Sequence, residues 1–368
     1  MAESKDLLYF LESIHTDATR QTYEFHLNKF WEWSEKDSES IKYLGRLELT
    51  NLLCDYALYQ KKRISPNSLL CYFGGIFKYL EISDVEFNRK KVVSLFSQKV
   101  KLRGYRPITD QELNEMIRAC SSDLERALVH VFSATGHRPE AFADLMMKDV
   151  QEIGDGCLSL RIYVGSREHE ADIFLHRFAS DSLKRYHAWR ESNGEKFTSG
   201  SYAFIGGRKF ATMPIRPMTS STISKIIARI IKRAKIKREK HGSNRFDLAV
   251  CGGFRKRFDT ILKGNSDIPY AYAEKLLDHK NKLEVHYFKP TREQLFEQYK
   301  KAIPELIFDE SEKIRIESEN KQKKIDELES SKERITQLES NMKHIQDLLE
   351  HKSSMADTSK SLKKIRDI

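Results

Sequence analysis

Residues 274–290 read Glu274-Lys-Leu-Leu-Asp-His-Lys-Asn-Lys-Leu-Glu-Val-His-Tyr-Phe-Lys-Pro290. Leu276 and Leu277 predict the end of a short apolar helix that runs into His279, and Tyr287 follows eight residues later. A phenol with a pKa near ~10 is only about one part in a thousand ionised at neutral pH. Tyr287 could act as a nucleophile only beside cations that stabilise the phenolate and the charge on its target. Taken alone, the segment favours a tyrosine that packs in a core, so the case for chemistry depends on cations elsewhere.

The composition indicates a soluble protein that binds a polyanion. The 368 residues carry a formal net charge of +10, which favours nucleic acid or an anionic membrane surface as partner. The five cysteines lack CxxC spacing, which argues for a reducing compartment and against a zinc site. No stretch approaches the roughly eighteen apolar residues of a membrane span, and the first residues do not resemble a signal peptide. We expect a cytoplasmic, nucleoid-associated protein that has no membrane contact.

Residues 1–100 are predicted to form a helical domain that contacts DNA. Tyr23, Leu27, Phe30 and Trp31 recur at helical spacing and predict an apolar face. Further helices are predicted over Leu47–Tyr59, Asn67–Leu80 and Asp84–Val100. The lysines and arginines between these faces are suited either to a solvated surface or to phosphate contacts with duplex DNA.

A basic joint at residues 101–107 separates this domain from a second one, predicted at 108–307. Thr109-Asp-Gln-Glu112 is a capping box that starts a new helix. Arg138 lies in the turn Ala134-Thr-Gly-His-Arg-Pro-Glu140, where the glycine ends one helix and the proline begins the next.

The alternating residues 157–175 predict a β-hairpin. Arg167 lies in its turn and His169 directly after it.

Two more basic features follow in the second domain. Residues 232–240 hold six cations within nine positions, a density that favours phosphate contacts over a merely solvated helix end. The members we assign to phosphate binding are Lys232, Arg233, Lys235, Lys237 and Arg238. Arg255 is predicted on the first turn of a helix in Cys251-Gly-Gly-Phe-Arg-Lys256. The helix dipole already attracts anions at that end, so an arginine there is suited to holding a phosphate.

Residues 308–350 are charged and strongly helical, with apolar residues at near-heptad spacing, and are predicted to form a coiled-coil helix rather than a lone solvated one. The apolar positions are Ile325, Leu328, Ile335, Leu338, Met342, Ile345 and Leu349. Residues 351–368 are polar and basic, and we expect a disordered tail.

Together these motifs contain what attack on a phosphodiester needs. Two arginines would hold the non-bridging oxygens and spread the charge of a pentavalent transition state. Tyr287 would displace the 5′-hydroxyl and remain as a 3′-phosphotyrosine. A cationic residue of the hairpin would protonate the leaving oxygen. This chemistry requires no metal, and no cofactor is predicted.

The order and spacing of the motifs resemble the tyrosine recombinase (phage integrase) family, and most of all the integrases of archaea and their viruses. The resemblance covers roughly residues 10–305. It implies a mainly helical fold with a small β-hairpin or sheet, in which a helical core-binding domain and an α+β catalytic domain form a clamp on DNA. It also implies that Arg138 and Arg255 match the two catalytic arginines, His279 the Box III histidine and Tyr287 the nucleophile. Lys256 falls where a His or Lys follows the second arginine and is assigned to phosphate binding.

The chain departs from the family pattern at three positions. Gly252 stands where Box II has a histidine, with His241, Cys251 and Lys256 as open substitutes. The hairpin has no lysine in Gly165-Ser-Arg-Glu168, so Arg167 is the first candidate for that role and His169 the second. Because an arginine hardly deprotonates, Arg167 would mainly stabilise charge. Asp278 stands where a glycine precedes the Box III histidine.

The prediction is a site-specific recombinase that acts on double-stranded DNA at a specific attachment site, self-associating on DNA as a tetramer. Type IB topoisomerase-like strand passage uses the same chemistry on one duplex. A catalytically weak or silent DNA-binding protein on the same scaffold is the alternative that Gly252 and the hairpin favour. An architectural protein that assembles through its tail would leave the arginines and Tyr287 without a role.

Overall fold

A computed structural model describes residues 5–97, 105–165, 170–206, 216–240, 246–279 and 288–315, and short pieces at 318, 321–322, 325–326, 328–338 and 341–342. It is mostly helical, with one small sheet, and divides into two compact units. The first holds residues 1–104 and 240–245, and the second holds 105–239 and 246–368. None of the described helices is long and apolar enough to cross a bilayer.

Five α-helices build the first unit around an aromatic core. They are α1 Lys5–Glu12, α2 Asp17–Ser34, α3 Arg46–Lys61, α4 Leu69–Ile82 and α5 Arg89–Ser94. The predicted face on α2 is partly confirmed, since Leu27 and Phe30 are buried. Helices α2 and α4 pack closely at Gly75, where an added Cβ would lie 2.9 Å from the Cα of Tyr23. Residues on α1, α3 and α4 complete the core, with Phe10, Tyr56 and Phe73 fully buried.

The helix predicted over Asp84–Val100 is wrong in its extent. Asp84 has a left-handed φ of 52°, which a helix interior excludes. Phe87 lies outside regular secondary structure before the helix, and its ring stacks on that of Phe77 with the centroids 5.4 Å apart. Asn88 then caps α5 by accepting a hydrogen bond from the Lys91 amide at 3.0 Å, and the helix ends at Ser94.

The second unit surrounds a core that α7 and α9 share with the sheet. Its helices are α6 Asp110–Ala119, α7 Asp123–Thr135, α8 Glu140–Ala143, α9 Arg177–Ser192, α10 Ser220–Arg233, α11 Gly252–Gly264, α12 Tyr270–Leu276 and α13 Arg292–Leu306. The capping box at Thr109 is confirmed, and Thr291 with Gln294 forms a second one that starts α13. Tyr299 of α13 is fully buried and donates to the Ala134 carbonyl at 3.0 Å, so α13 is fixed to the end of α7.

The predicted hairpin is part of a three-stranded antiparallel sheet, with β1 Val150–Gly154, β2 Cys157–Ile162 and β3 Ala171–Leu175 in that order. Leu158 pairs with Leu175, and Leu160 with Ile173, so one face of the hairpin enters the core. Strand β1 was not predicted from the sequence, because Val150–Gly154 contains no fully buried residue to produce a clear alternation. Strand β2 ends before Tyr163, whose φ of 54° turns the chain away.

The C-terminal segment is helical over 310–315 and 328–338. Its apolar side chains are exposed in the single chain, with Leu328 at 70%, Ile335 at 56% and Met342 at 64%. Ile345, Leu349 and the tail at 351–368 lie outside the described residues.

Candidate active site

The turn that carries Arg138 depends on Gly136. Helix α7 ends there with a φ of 60°, and the Gly136 amide donates to the Phe132 carbonyl at 2.9 Å. A Cβ at this position would lie 2.5 Å from the Cβ of Phe258 on α11. Glycine therefore allows both the left-handed turn and the close packing of α7 on α11. The turn leaves Arg138 exposed, and its side chain makes no ion pair with the described part of the chain.

Arg255 connects three segments that are distant in sequence. It lies on the first turn of α11, as predicted, and is half-buried. Its Nη1 donates to the Gly136 carbonyl at 3.4 Å, two residues before Arg138. Its Nη2 donates to the Leu277 carbonyl, two residues before His279. One guanidinium thus holds the Arg138 turn and the His279 segment against the same helix terminus.

The electrostatics around Arg255 favour an anion. Burial lowers the pKa of Arg255, the charge of Arg138 lowers it further, and Asp278 only partly offsets this. The two arginines therefore lie close enough to repel each other. A doubly negative or monoanionic phosphate beside them would relieve that repulsion, and the N-terminus of the 13-residue α11 adds a favourable dipole.

His279 is positioned by the end of α12. The Asp278 amide donates to the Lys275 carbonyl at 3.0 Å and the His279 amide to the Glu274 carbonyl at 2.9 Å, the two bonds of a Schellman motif. Asp278 takes the left-handed conformation of this motif, with a φ of 50°. This is the conformation for which glycine is preferred, and Asp tolerates it better than most residues. Asp278 therefore keeps the turn that places His279.

The imidazole of His279 contacts a buried carboxylate. Its Nδ1 lies 3.2 Å from Oε1 of Glu274, which also accepts from Lys263 Nζ at 2.7 Å. Lys263 in turn pairs with Asp259 at 2.8 Å. Burial would raise the pKa of Glu274, but the hydrogen bonds from Lys263 and His279 outweigh it and the pKa is lowered. Glu274 is thus a carboxylate.

Tyr163 and His137 complete the surroundings of the arginines. Burial first, and then the charges of Glu140 and Asp278, raise the pKa of Tyr163 to about 12. His137 is 2% exposed and its Nδ1 lies 2.8 Å from the Thr135 carbonyl. Burial lowers the pKa of His137 to about 3, so its imidazole is neutral. Sequence reasoning missed Tyr163, Glu274 and His137, and the only signal available was their closeness to the motifs.

Tyr287, Arg167, His169 and His241 lie outside the described residues. Phe288, which follows Tyr287 in the chain, packs its ring edge-on against Tyr272 of α12 at 4.8 Å.

Close packing at position 252 leaves little room for any residue larger than glycine. A Cβ there would lie 2.9 Å from the Cβ of Ala249, with the Tyr105 ring at 3.7 Å. Of the open substitutes, Cys251 has its pKa raised by burial to about 11. Lys256 is half-exposed and lies 3.6 Å from Asp259.

The basic run 232–240 divides into two kinds of cation. Arg233 pairs with the buried Glu125, and Arg238 donates to the Leu248 carbonyl at 2.8 Å and stacks on Phe246 at 4.1 Å. Their guanidinium groups therefore stabilise the unit. The lysines of the run that we assigned to phosphate binding are exposed at the end of α10 and beyond it: Lys232, Lys235 and Lys237.

Residues 106–294, slightly more than half of the chain, match the model of the phage integrase family. The chain belongs to this family. Integrases of this class are tyrosine recombinases, and the matched region contains Arg138, Arg255, His279 and Tyr287. No curated protein matches this integrase-family chain. No group of three or more His, Cys, Asp or Glu among the described residues is arranged to hold a metal ion.

Several solved structures are similar to this integrase-family chain. The XerA recombinase shares 19% identity, covers 81% of this chain and 98% of its own, and has a TM-score of 0.38. A lambda integrase dimer bound to a COC′ core site shares 18% identity, covers 79% and 96%, and has a TM-score of 0.48. The Tn1549 transposon integrase bound to transposon right end DNA shares 14% identity, covers 75% and 92%, and has a TM-score of 0.48.

Proposed function

We propose that this chain is a site-specific DNA recombinase that cuts and rejoins strands through a 3′-phosphotyrosine. The observation that carries the proposal is the pair of hydrogen bonds that the Arg255 guanidinium donates to the Gly136 and Leu277 carbonyls. It brings Arg138, Arg255 and His279 to the N-terminus of one helix, where a scissile phosphate would be held. Membership of the phage integrase family supports the same chemistry.

In the proposed reaction, the Tyr287 phenol loses its proton to solvent as its oxygen attacks the scissile phosphorus and forms a P–O bond. The bond from phosphorus to the 5′ oxygen breaks. Arg167 of the hairpin stabilises the charge on that oxygen, and His169 is the hairpin candidate that can supply its proton. Arg138 and Arg255 stabilise the charge on the non-bridging oxygens. In its protonated form, His279 donates from Nε2 to the same phosphate. Rejoining is the reverse attack by a 5′-hydroxyl of the partner strand.

The nucleophile can be tested with a built-in control. We expect incubation with a nicked suicide duplex to give a covalent protein–DNA adduct, which Tyr287→Phe abolishes. Tyr163→Phe should retain the adduct, because burial makes the Tyr163 phenol harder to ionise. Loss of the adduct in Tyr163→Phe and its retention in Tyr287→Phe would show that Tyr163, and not Tyr287, is the nucleophile.

A silent DNA-binding protein is the second candidate, and the close packing at Gly252 favours it. The missing Box II imidazole removes a group that typically contributes about 10²–10⁴-fold. DNA binding without an adduct on any suicide substrate would establish this alternative.

We propose that the DNA partner is a duplex with a specific attachment site, and that a core-binding domain at 1–100 and a catalytic domain at 108–307, joined by 101–107, each contact it. The exposed Lys232, Lys235 and Lys237 support phosphate contacts. The Gly-Phe-Arg-Lys and Tyr-Phe-Lys-Pro sequences support the archaeal and viral branch of the family.

We propose that residues 308–350 pair with a second copy as a parallel coiled coil and so promote a tetramer on DNA. Leu328, Ile335 and Met342 are seven residues apart and exposed in the single chain. In this register Arg334 and Glu339 flank the seam and attract each other between parallel copies. Light scattering should show a smaller oligomer for Arg334→Glu, and recovery when Glu339→Arg is added. An oligomer that ignores both changes would contradict the pairing.

A further inference from the structure

We propose that Glu274 is a positioning residue for His279: it orients the imidazole with Nδ1–H toward its own carboxylate and leaves Nε2 toward the scissile phosphate. The proposal rests on the function proposed above for His279. It adds a residue to which the sequence motifs above assign no role and that reaches the reaction only through the histidine.

The geometry links Glu274 to His279 twice. Its backbone carbonyl accepts from the His279 amide at 2.9 Å, and its side-chain Oε1 lies 3.2 Å from His279 Nδ1. The first bond closes the Schellman turn, which fixes the backbone of the histidine. The second fixes the ring. Residues five apart do not face each other on a regular helix, so the left-handed Asp278 is what brings the two side chains together.

The charge of Glu274 decides which ring nitrogen carries the proton. Glu274 is 6% exposed, and Lys263 Nζ lies 2.7 Å from its Oε1. An ionised carboxylate has no proton to donate, so the Nδ1 facing it must be the donor. In a neutral imidazole the proton on Nδ1 leaves Nε2 with a lone pair, and in the cation Nε2–H is a donor.

A line of alternating charges holds Glu274 in place. Lys263 lies between Glu274 and Asp259, and the two acidic partners raise its pKa to about 12 despite its burial. Asp259 lies 3.6 Å from the half-exposed Lys256 at the outer end of the line. Lys263 and His279 both contact Oε1 of Glu274, and these two contacts fix the position of the carboxylate.

The first test does not depend on catalysis. Histidine-labelled full-length protein at alkaline pH should show, beside the Nδ1–H tautomer signal of His137, an Nδ1–H tautomer signal by long-range ¹H–¹⁵N NMR that His279→Ala removes. We expect Glu274→Ala to convert this signal to the Nε2–H tautomer. The signals of the buried His130, His137 and His176 should stay in place and serve as the control for folding. An Nε2–H tautomer in the unmodified protein, or an unchanged signal in Glu274→Ala, would overturn the proposal.

The second test is a double-mutant cycle on adduct formation with bound suicide duplex. Glu274→Ala should slow cleavage by about 10–100-fold without weakening DNA binding, the range seen when a supporting hydrogen bond is removed. In the His279→Ala background the same change should cost nothing further, because Glu274 acts through the histidine. Additive effects would show a separate role and reject the positioning. Glu297→Gln, an exposed glutamate on α13, is the matched control.

The two failures are distinguishable. If the unmodified protein binds DNA but never forms an adduct, the proposed function fails while the tautomer test still decides the role of Glu274. If the adduct forms and Glu274→Ala leaves both its rate and the tautomer unchanged, only the positioning fails.

Discussion

Two cationic regions of the second unit differ in what holds their charges. At the Arg255 site the guanidinium is half-buried and bonded to two backbone carbonyls, and the neighbouring histidine is held by a buried carboxylate. In the run 232–240, the lysines Lys232, Lys235 and Lys237 are exposed. Both regions are suited to phosphate, but only the first restricts where the phosphate lies.

The comparison separates positioning from attraction. A cation held by carbonyl oxygens is not neutralised, because a carbonyl is a dipole and not a counter-ion. The two hydrogen bonds also fix the orientation of the side chain. Exposed lysines attract DNA without a fixed geometry, and salt screens them. Chemistry should therefore fail when the first region changes, and salt-dependent binding should fail when the second does.

The largest effect is expected at Arg255. An Arg255→Lys variant keeps the charge, but a single ammonium cannot reach both the Gly136 and the Leu277 carbonyls and a phosphate oxygen. Single-turnover cleavage of a bound suicide duplex should fall by about 10²–10³-fold. Affinity for the duplex should change little. Arg118→Lys, at an exposed site on α6, is the matched control. An equal reduction of cleavage in that variant would show that the effect is not specific to the Arg255 region.

The next effect concerns salt. We expect the combined change of Lys232→Gln, Lys235→Asn and Lys237→Gln to reduce the slope of log Kobs against log salt by about 0.9 for each phosphate that the protein no longer neutralises. Asparagine is chosen at position 235 because Lys235 has a φ of 55°, which asparagine tolerates. Fluorescence anisotropy over a salt series gives the slope. Cleavage of DNA that is already bound should proceed at the original rate, and a slowed cleavage step would contradict the assignment.

Acid should destabilise the second unit through its buried histidines. Burial lowers the pKa of His137 and of His176 to about 3, below the unfolded value near ~6.5. Between these values the unfolded chain binds more protons, so the free energy of unfolding falls as pH decreases. Each histidine contributes up to about 1.4 kcal/mol per pH unit in that window.

Urea unfolding at several pH values between 7.5 and 4.5 measures this slope. A shallower slope is expected for His176→Leu, and an identical one would show that this histidine is not buried in its neutral form.

The smallest effect is expected at Gly252. Gly252→Ala should cost about 1 kcal/mol of stability, because its Cβ would lie 2.9 Å from that of Ala249. Adding Ala249→Gly should restore most of the stability in thermal denaturation. Gly264→Ala is the control, since a Cβ there meets nothing within 4 Å. No difference between the two single variants would mean that sterics do not exclude a side chain at position 252.

Short-range signals made the motifs predictable from the sequence. Gly136 and the capping box at Thr109 are local patterns, and they correctly placed the turn of Arg138 and the start of α6. Arg255 was expected at a helix N-terminus for the same reason. Strand β1 could not be predicted, because its residues do not alternate in burial.

Contacts that depend on the backbone conformation of a single residue could not be predicted from the sequence. The contact between Glu274 and His279 spans five residues and exists only because Asp278 is left-handed. Tyr163 follows a strand whose end depends on its own backbone conformation, and only its closeness to the predicted hairpin marks it in the sequence. The helix over Asp84–Val100 was overextended because apolar spacing does not reveal a positive φ at Asp84.

The carbonyl of Leu277 has a consequence for how this protein can change over generations. Arg255 is held there by an oxygen that every amino acid carries, so the side chain at position 277 is free to drift as long as it remains apolar and fits its pocket. What must persist is the place where α12 stops, since a helix that continued for another turn would engage that oxygen in a backbone hydrogen bond. The site therefore requires a fixed end of α12 and not a particular residue type at position 277. A comparison of residue identities alone would overlook this requirement.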